Sequence, residues 1–440
     1  MKKFIGHSIH GFIVKTFSIA AVISSTGVYA GAVYPSTSLD TMNARIIKLE
    51  KENQVLKEEV VKNKNAIVTS SEKNTKRVRS LKESVEKQSS RMKMDGFMSA
   101  GILKGEGDYK YGSVDKHVDF SEGYHYRSDS VVGLQFNYAL AEQTNAIVQL
   151  VATGSESFKV EAEWAYLRHY FDDDFHLSVG RFRLPFYYHS ETVEVGFAYP
   201  MVRPATEVYI SEVTSIEGAS LYKGFELGDH RFSLRLDLFG TSTELLSVES
   251  GHILVAEYEY GDLLARAVYA EMDLEIKGVD LTIENRGYTG ALVYDDGTYM
   301  SSFEAIRTDP KSGPFYSFEA FVAMFARKFG PWTPYLSVAT IYSGERNDDP
   351  LAYISRMVQS PEEFTAPTVR FSGDSVTPGF RYDYSSKIAL KFEATHFING
   401  EEEPDGLGGV NTSLGYLTGD GPSGEDDDLV VYSFVVDAVF

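Results

Sequence analysis

From Met94 to Phe440, apolar side chains recur at every second position in segments of roughly ten residues. A period of two places successive side chains on opposite faces of a β-strand, so each segment is predicted to be a strand with one apolar face. The alternating segments lie at 94–103, 127–140, 144–154, 158–171, 175–184, 213–223, 230–240, 251–260, 262–273, 287–295, 298–307, 314–328, 332–343, 374–384, 387–398 and 429–440. This part of the chain is therefore predicted to be all-β, with about sixteen strands.

The connections between these segments alternate between tight turns and longer loops. The tight turns are predicted at 141–143, 172–174, 228–229, 260–262, 295–297, 329–331 and 385–386. The longer loops include 104–126, 185–212, 344–373 and 399–428. Short turns at one end and long loops at the other are typical of barrels that span a membrane, whereas a soluble sandwich shows no such alternation. The predicted fold class is an all-β transmembrane antiparallel barrel of about sixteen strands, over residues 94–440.

The charged residues of these segments keep to one face. In the segment 230–239, Arg231, Arg235 and Asp237 share one parity, and four apolar residues share the other. Lys391, Glu393 and Glu319 are assigned by the same reasoning to the inner face of a barrel. The predicted barrel has a wet interior and an apolar outer surface with aromatic side chains near the strand ends. A sixteen-stranded barrel with such an interior is wide enough for a channel.

A different period precedes the barrel. Between residues 39 and 92, apolar residues recur in heptads, with Lys and Glu on the flanks. This pattern predicts a coiled coil, and the 39–93 segment is interpreted as a stalk that holds copies of the chain together. Three asparagines in the seam, Asn53, Asn63 and Asn74, are predicted to fix its register at a cost in stability. The mixture of Val, Ile and Leu in the seam favours two strands, so dimer and trimer both stay open.

The first thirty residues read as an export signal. A basic leader is followed by an apolar stretch and by small residues up to Ala30, which predicts cleavage there and a linker at 31–38. A membrane anchor, the alternative, needs a longer uninterrupted apolar span.

The chain has no Cys, which excludes disulfides and thiolate metal sites, and no cofactor is expected. Residues 1–93 carry a net charge of +9 and residues 94–440 one of −30, so the acidic barrel argues against nucleic acid as a partner.

The chain resembles the trimeric sixteen-stranded porins of Gram-negative outer membranes. Its stalk resembles the helical extension of dicarboxylate-type porins, and GRFRLPF at 180–186 is similar to a stretch of phosphate-selective porins. The resemblance implies a homotrimer in outer-membrane lipid and lipopolysaccharide, with the coiled coil in the periplasm. It also implies passive diffusion of small hydrophilic solutes past a loop folded into each pore, with small organic anions favoured. The terminal strand, with Tyr432 and Phe440, resembles the signal that the barrel-insertion machinery reads.

The loop at 185–212 is the candidate for selectivity, because three prolines stiffen it and it is too long for an idle connection. The candidate residues at the pore constriction are Arg181, Arg183, His189, Glu191, Glu194, Arg203, Glu207, Arg231 and Arg235. We expect the arginines to form a basic strip opposite the glutamates, although salt bridges that merely tie the loop to the wall are an equal alternative for each Arg. Arg181 and Arg183 share parity with Leu177 and Val179, so either a bulge intervenes or one of them faces a neighbouring subunit.

Three other functions compete with a porin. An enzyme would need a site such as His189, Ser190 and Asp119, but no G-x-S-x-G motif occurs and the pair adjacent in sequence has no suitable geometry. A trimeric adhesin contributes only a few strands per chain, whereas this chain has enough for a whole barrel. A structural barrel whose stalk spaces or tethers the membrane to the cell wall is the main alternative.

Acidic loop segments at 348–350, 401–403 and 424–429 either bind divalent ions that bridge lipopolysaccharide or are solvated tips.

Overall fold

The computed structural model describes residues 36–89, 91–105, 110–113, 116–119, 123–211, 213–243, 246–277, 282–311, 316–346, 370–399, 411–413, 417–418 and 429–440. The chain divides into two compact units, Met1–Val85 and Glu86–Phe440. The predicted signal at 1–30 lies outside the described residues. So do the acidic segments 348–350, 401–403 and 424–428.

One long helix, α1, spans Ser36–Ser89, and all but its last four residues belong to the first unit. Its apolar residues lie open to solvent: Ile46, Leu49, Leu56, Val60 and Ile67 are each 49–69% exposed. These residues belong to the predicted heptad seam, so a helix with an apolar stripe is present and the stripe is uncovered in a single chain. Among the residues that the structure describes, no helix is both long and apolar enough to cross a membrane.

The second unit is built on sixteen antiparallel strands, numbered here in chain order. They are β1 Met92–Gly105, β2 Val131–Ala141, β3 Thr144–Thr153, β4 Val160–Asp172, β5 Phe175–Arg183, β6 Ser215–Leu227, β7 His230–Ser242, β8 Leu246–Tyr260, β9 Leu263–Ile276, β10 Thr282–Asp295, β11 Tyr299–Pro310, β12 Tyr316–Arg327, β13 Trp332–Arg346, β14 Arg370–Ser385, β15 Ile388–Asn399 and β16 Leu429–Val439. Short strands at Lys110–Ser113, Lys116–Asp119, Asn411–Ser413 and Leu417–Thr418 and 3-10 turns at Gly154–Glu156 and Gly196–Ala198 lie in the connections. Each predicted segment coincides with one strand, so the predicted fold class is confirmed.

The sheet closes on itself through its first and last strands. β1 pairs with β2 on one side and with β16 on the other, where Phe97 opposes Val439. Phe440 and Gly96 exchange two backbone hydrogen bonds of 2.9 Å, and the Phe440 ring covers the position where a Gly96 side chain would lie. The aromatic end of the chain therefore seals the junction of the barrel.

The alternation of connection lengths is also present. β6 and β7 are joined by residues 228–229, and β8 and β9 by residues 261–262, whereas β5 and β6 are separated by residues 184–214. Gly228 and Gly261 have φ values of 63° and 57°, which a glycine adopts without the strain that a Cβ would add. These residues allow the chain to reverse within two positions.

The outer and inner faces follow the predicted parity in most strands. Leu234, Leu236 and Leu238 on β7 are 40–57% exposed, while Asp237 between them is fully buried. Glu319 on β12 is an exception, because it pairs with Arg307 on the outer face at 2.6 Å while its neighbour Ala320 is buried inside. The prediction that Glu319 faces inward was therefore wrong.

The interior is wet only in part. One large apolar cluster joins side chains of the β5–β6 connection to inward-facing residues of strands β5 to β9 and β11 to β13. Its buried members are Phe182, Leu184, Phe186, Tyr187, Val208, Val213, Ile216, Phe239, Val248, Ile253, Val255, Val268, Ala270, Ile306, Ala320 and Ile341. The expectation of a wet interior all round is corrected by this cluster, because the connection covers one side of the wall with a hydrophobic core.

Candidate functional site

Residues 184–214, called the inner loop, cross the interior of the barrel. Glu191 in this loop pairs with Arg235 on β7 at 2.6 Å, and the Val202 N–H donates to Glu393 on β15 at 3.0 Å. β7 and β15 are eight strands apart in a barrel of sixteen, so they face each other across the lumen. A segment that contacts both has to span the lumen, and its position decides how much of the lumen stays open.

Lys391 on β15 holds the middle of the inner loop through backbone carbonyls. Its ammonium is fully buried and donates to the carbonyl oxygens of Gly196 at 2.5 Å and Met201 at 2.6 Å. Asp437 on β16 lies 2.9 Å from the same ammonium and receives a hydrogen bond from Ser99. A buried charge needs a paired charge and hydrogen bonds to offset its desolvation, and both are present at Lys391.

Arg381 on β14 reinforces the same segment. Its guanidinium donates to the carbonyl oxygens of Phe197 and Tyr199 at 2.7 and 3.1 Å, and its Nε donates to Asp383 at 2.7 Å. The backbone from 196 to 201 is thus held by two wall cations, Lys391 and Arg381. Because backbone carbonyls accept these bonds, the identities of the loop side chains matter less than the course of the chain.

Arg203 ties the second half of the inner loop to the wall. It makes a two-point contact with Asp129, at 2.9 and 2.7 Å, and a second ion pair with Glu393 at 3.1 Å. Glu393 is 2% exposed and also accepts from the Tyr335 hydroxyl at 2.8 Å. Arg203 therefore anchors the loop, the alternative that the sequence analysis had left open for each arginine.

Glu304 on β11 fixes the entry of the inner loop. Its two oxygens accept hydrogen bonds from the Tyr188 N–H and the Tyr209 hydroxyl, both at 2.7 Å. The same Tyr209 hydroxyl accepts from the His189 N–H at 2.9 Å. Burial lowers the pKa of His189 to about 4, with a smaller contribution from the Lys391 charge, so this imidazole is neutral near neutral pH. His189 lies in the loop core and adds no charge to the lumen.

A cavity of about 250 Å³ remains between the inner loop and the wall on the β2–β7 side. We call it the wall cavity. It is lined by Gln135, Asn137, Ile147, Trp164, Tyr166, Arg168, Tyr170, Ser178, Phe182, Arg183, Glu191, Ser220 and Arg235. Its lining contains three guanidinium groups, one carboxylate, several aromatic rings and neutral hydrogen-bonding groups. This arrangement can hold or pass a small hydrophilic solute.

Two of the three guanidinium groups in the wall cavity are paired with carboxylates. Arg183 lies 3.1 Å from Glu163 and 2.8 Å from Glu194. Arg235 lies 2.6 Å from Glu191 and 2.9 Å from Asp237. These pairs hold the loop beside the cavity, and because each arginine contacts two carboxylates they offset the positive charge of both arginines in full.

Arg168 differs from the other two arginines. Its Nε donates to Ser178 at 3.0 Å and its guanidinium lies 5.1 Å from the centre of the Tyr166 ring, but it forms no ion pair with any residue that the structure describes. Among the three arginines of the wall cavity, Arg168 is therefore the one whose positive charge is not offset by a carboxylate of the described residues in contact with it. An anion that enters the cavity meets this group without first breaking a salt bridge.

A bulge in β4 places Arg168 on the inner face, and sequence reasoning missed the residue for that reason. In the pairing of β3 with β4, Gln149 opposes Trp164 and Leu150 opposes Ala162, so Glu163 is an extra residue. The bulge switches the inward parity from Glu161 and Glu163 to even-numbered residues. A strict period of two, counted from Glu161, assigns Arg168 to the lipid side. Neighbouring Tyr166 and Tyr170 give the only hint in the sequence, and an aromatic girdle explains them equally well.

Arg181 and Arg231, two of the predicted constriction residues, lie elsewhere. Arg181 opposes Glu217 of β6 and forms an ion pair with it, while the flanking Phe182 is buried inside the barrel. Adjacent residues of a strand face opposite sides, so Arg181 lies on the outer surface. Arg231 lies 3.7 Å from Asp174, at the turn between β4 and β5. The structure thus brings Arg183, Glu191, Glu194 and Arg235 together near the cavity and leaves these two out.

Glu207 is buried in the loop, away from the wall cavity, and 2% exposed. Among the described residues, no group of three or more His, Cys, Asp or Glu side chains is arranged to hold a metal ion. Within the described part of the chain, the wall cavity is the feature that fits a passing solute.

Comparisons with known proteins agree with the fold. No protein-family model and no curated protein matches the sequence. Among solved structures, the outer membrane channel DcaP of Acinetobacter baumannii matches with a TM-score of 0.51 at 13% identity, covering 79% of this chain and 97% of that chain. An anion-selective porin from Comamonas acidovorans matches with a TM-score of 0.51 at 12% identity, covering 79% and 99%. Salmonella typhi OmpF, in complex with daunomycin, matches with a TM-score of 0.50 at 10% identity, covering 79% and 97%. At these identities the likeness shows that the chain has a porin-type barrel fold.

Proposed function

We propose that the protein is an outer-membrane porin through which small hydrophilic solutes diffuse passively. The observation that carries the proposal is the wall cavity, a polar space of about 250 Å³ beside a loop that crosses the lumen. Diffusion requires a constriction whose walls interact with the solute weakly enough to release it. The cavity supplies hydrogen-bonding groups and charges for this, and no catalytic group is needed.

We propose that small organic anions are the preferred solutes. Arg168 supports this, because it is the guanidinium in the lining of the wall cavity that no carboxylate of the described residues contacts, whereas Arg183 and Arg235 are each paired. The porin from Comamonas acidovorans, which shares the fold, is itself described as anion-selective. The acidic charge of the whole chain counts for less, because salt screens exposed charges beyond about 8–10 Å and the constriction lies closest to the solute.

The test is conductance of the purified protein in a planar lipid bilayer under a salt gradient. We expect stepwise channel openings and a reversal potential of the sign that anion preference produces. A reversal potential of the opposite sign would contradict anion preference and leave the porin intact. A silent, folded barrel would contradict the porin itself.

The outer surface and the chain end support an outer-membrane location. The exposed leucines of β7 face away from the lumen, as residues in contact with lipid do. Lipopolysaccharide and outer-membrane lipids are the proposed surroundings. We infer that Tyr432, exposed on the closing strand β16, and Phe440, exposed directly after it, are read by the barrel-insertion machinery. The proposed place of the 39–93 stalk is the periplasm, after removal of residues 1–30.

We also propose that three copies of the chain assemble and that α1 joins them as a coiled coil. The uncovered apolar stripe of α1 supports this, because a long helix with such a stripe is stabilised by partners. Asn53, Asn63 and Asn74 would fix the register of the coil.

A single engineered cysteine tests the coil, since the chain has no Cys of its own. Leu56→Cys places a thiol in the proposed seam, and we expect mild oxidation to link two copies covalently in the folded protein. Lys57→Cys, one position away on the flank, is the matched control and should link far less. Equal linking at both positions would argue against the seam, and light scattering of the unlinked protein would report whether it contains three chains.

A structural barrel whose stalk tethers the membrane to the cell wall is the second candidate. The observation in its favour is the apolar cluster, through which the inner loop covers the β7–β13 side of the wall. An enzyme has less support. Ser190 accepts a hydrogen bond from the Tyr187 N–H at 2.9 Å, while His189 Nδ1 lies 3.5 Å from the Thr192 hydroxyl. These contacts do not arrange Ser190 and His189 as nucleophile and base.

A further inference from the structure

A second, much smaller cavity lies between residues 201–207 of the inner loop and the wall of the barrel. It has a volume of about 20 Å³, enough for one particle of the size of a water molecule. Its polar lining combines Arg203 and Glu207 of the loop with Glu393 and hydroxyl groups of the wall strands β13, β14 and β15. The hydroxyl groups belong to Ser337, Ser375, Thr377 and Thr395. We call this space the Glu207 cavity.

Glu207 is the group that makes this cavity unusual. Its side chain is 2% exposed, and its Oε1 is buried without a hydrogen-bond partner among the described residues. An unpaired buried carboxylate oxygen costs free energy, because the water that it loses is not replaced. Glu207 lines the cavity together with wall hydroxyl groups, so a ligand that binds oxygens there would offset the cost.

The charges around the cavity are also out of balance. Arg203 lines the cavity, but its charge is shared between Asp129 and Glu393, at 2.7 and 3.1 Å. Glu207 forms no ion pair with any residue that the structure describes. In the lining of the cavity Arg203 and Glu393 offset each other, so Glu207 leaves an excess of one negative charge there.

We propose that the Glu207 cavity binds one alkali cation no larger than a water molecule, with Na⁺ and K⁺ as the candidates. The cation would contact the Glu207 carboxylate and the neighbouring hydroxyl oxygens, and it would neutralise the excess charge. Hard cations prefer such oxygen ligands, and a divalent ion such as Ca²⁺ takes six to eight of them, usually with several carboxylates. With Glu393 paired to Arg203, the remaining carboxylate, Glu207, matches a single positive charge. The bound ion would hold the loop against β13–β15.

A proton is the competing way to neutralise Glu207. Burial raises the pKa of this carboxyl above its ordinary value, and a hydrogen bond from Ser375 lowers it only in part. Without a cation, the folded state would keep a proton that the unfolded state has lost, so stability would fall as the pH rises from the ordinary pKa through the raised one. Bound Na⁺ or K⁺ would remove most of that loss.

The experiment is unfolding of the full-length protein in detergent, in a mildly alkaline buffer of fixed ionic strength. The midpoint is compared between NaCl, KCl and the chloride of choline, a cation too large for this cavity. At an alkali cation concentration ten times the dissociation constant, we expect the unfolding equilibrium constant to be about tenfold lower than in choline. Glu207→Gln, which keeps the shape and removes the charge, should lose this difference. Ser375→Ala should keep it but require more cation.

Glu191→Gln is the matched control, because it removes a charge from the same loop at a site whose side chain is 57% exposed. It should keep the full difference between alkali and choline salts. Equal midpoints in all three salts would overturn the proposal, and a midpoint that also falls as pH rises would show that Glu207 holds a proton instead. A cation effect of the same size in Glu207→Gln would overturn it as well, since the ion would then bind elsewhere.

Discussion

Lys391→Met is expected to release the inner loop, raise the single-channel conductance and lower the stability of the barrel. Methionine has nearly the shape of lysine but no charge, so the carbonyl oxygens of Gly196 and Met201 lose their donor and Asp437 loses its cation. Removal of one partner of a buried ion pair costs about 3–5 kcal/mol. The conductance of single channels and the urea midpoint of unfolding measure the two effects.

Lys387→Met is the control for this substitution. Lys387 lies four residues away at the turn before β15, about 13 Å along the chain. Its substitution removes the same charge at a position that does not contact the loop. A second variant, Lys391→Met with Asp437→Asn, removes both charges. It should regain stability but keep the higher conductance, because the loop carbonyls still lack their donor. Wild-type conductance in both Lys391 variants would show that Arg381 and Arg203 hold the loop without Lys391.

Arg168→Glu is expected to reverse the ion preference of the channel. The substitution changes the charge of the wall cavity by two units at the one arginine there that has no ion-pair partner among the described residues. Two unit charges about 4 Å apart interact by about 1 kcal/mol in bulk water and about 4 kcal/mol near a protein surface. Since about 1.4 kcal/mol corresponds to a factor of about ten, the ratio of anion to cation permeability should fall at least tenfold. The reversal potential under a salt gradient measures this ratio.

Arg231→Glu is the matched control for Arg168→Glu. It makes the same change in total charge but lies about 13 Å along β7 from Arg235, at the turn by Asp174. That distance exceeds the screening length in physiological salt, so its effect on the reversal potential should be small. If both variants shift the potential equally, the preference arises from the overall charge and the wall cavity is not the selective site.

The candidate site divides into residues that the sequence identified and residues that it did not. Arg183, Glu191, Glu194 and Arg235 were expected near a constriction because the loop at 185–212 was recognised as long, stiff and charged. Arg168 was not expected there, because the extra residue Glu163 reverses the parity of β4. No local sequence pattern indicates the bulge. Lys391 was assigned to the inner face, but nothing in the sequence links it to Gly196, which lies 195 positions away.

The sequence by itself determined the strands, their number, the alternation of turns and loops, and the helix before the barrel. Periodicity is a local property, and each strand of a membrane barrel repeats the same alternation because one face contacts lipid. Only the tertiary structure decided which way Arg181 faces, where the inner loop lies and which carboxylates offset each arginine. These depend on pairs of residues that are distant in the chain and meet only when the barrel closes. The selectivity that we propose therefore rests on contacts that the folded lumen creates, between a loop and strands on both sides of it.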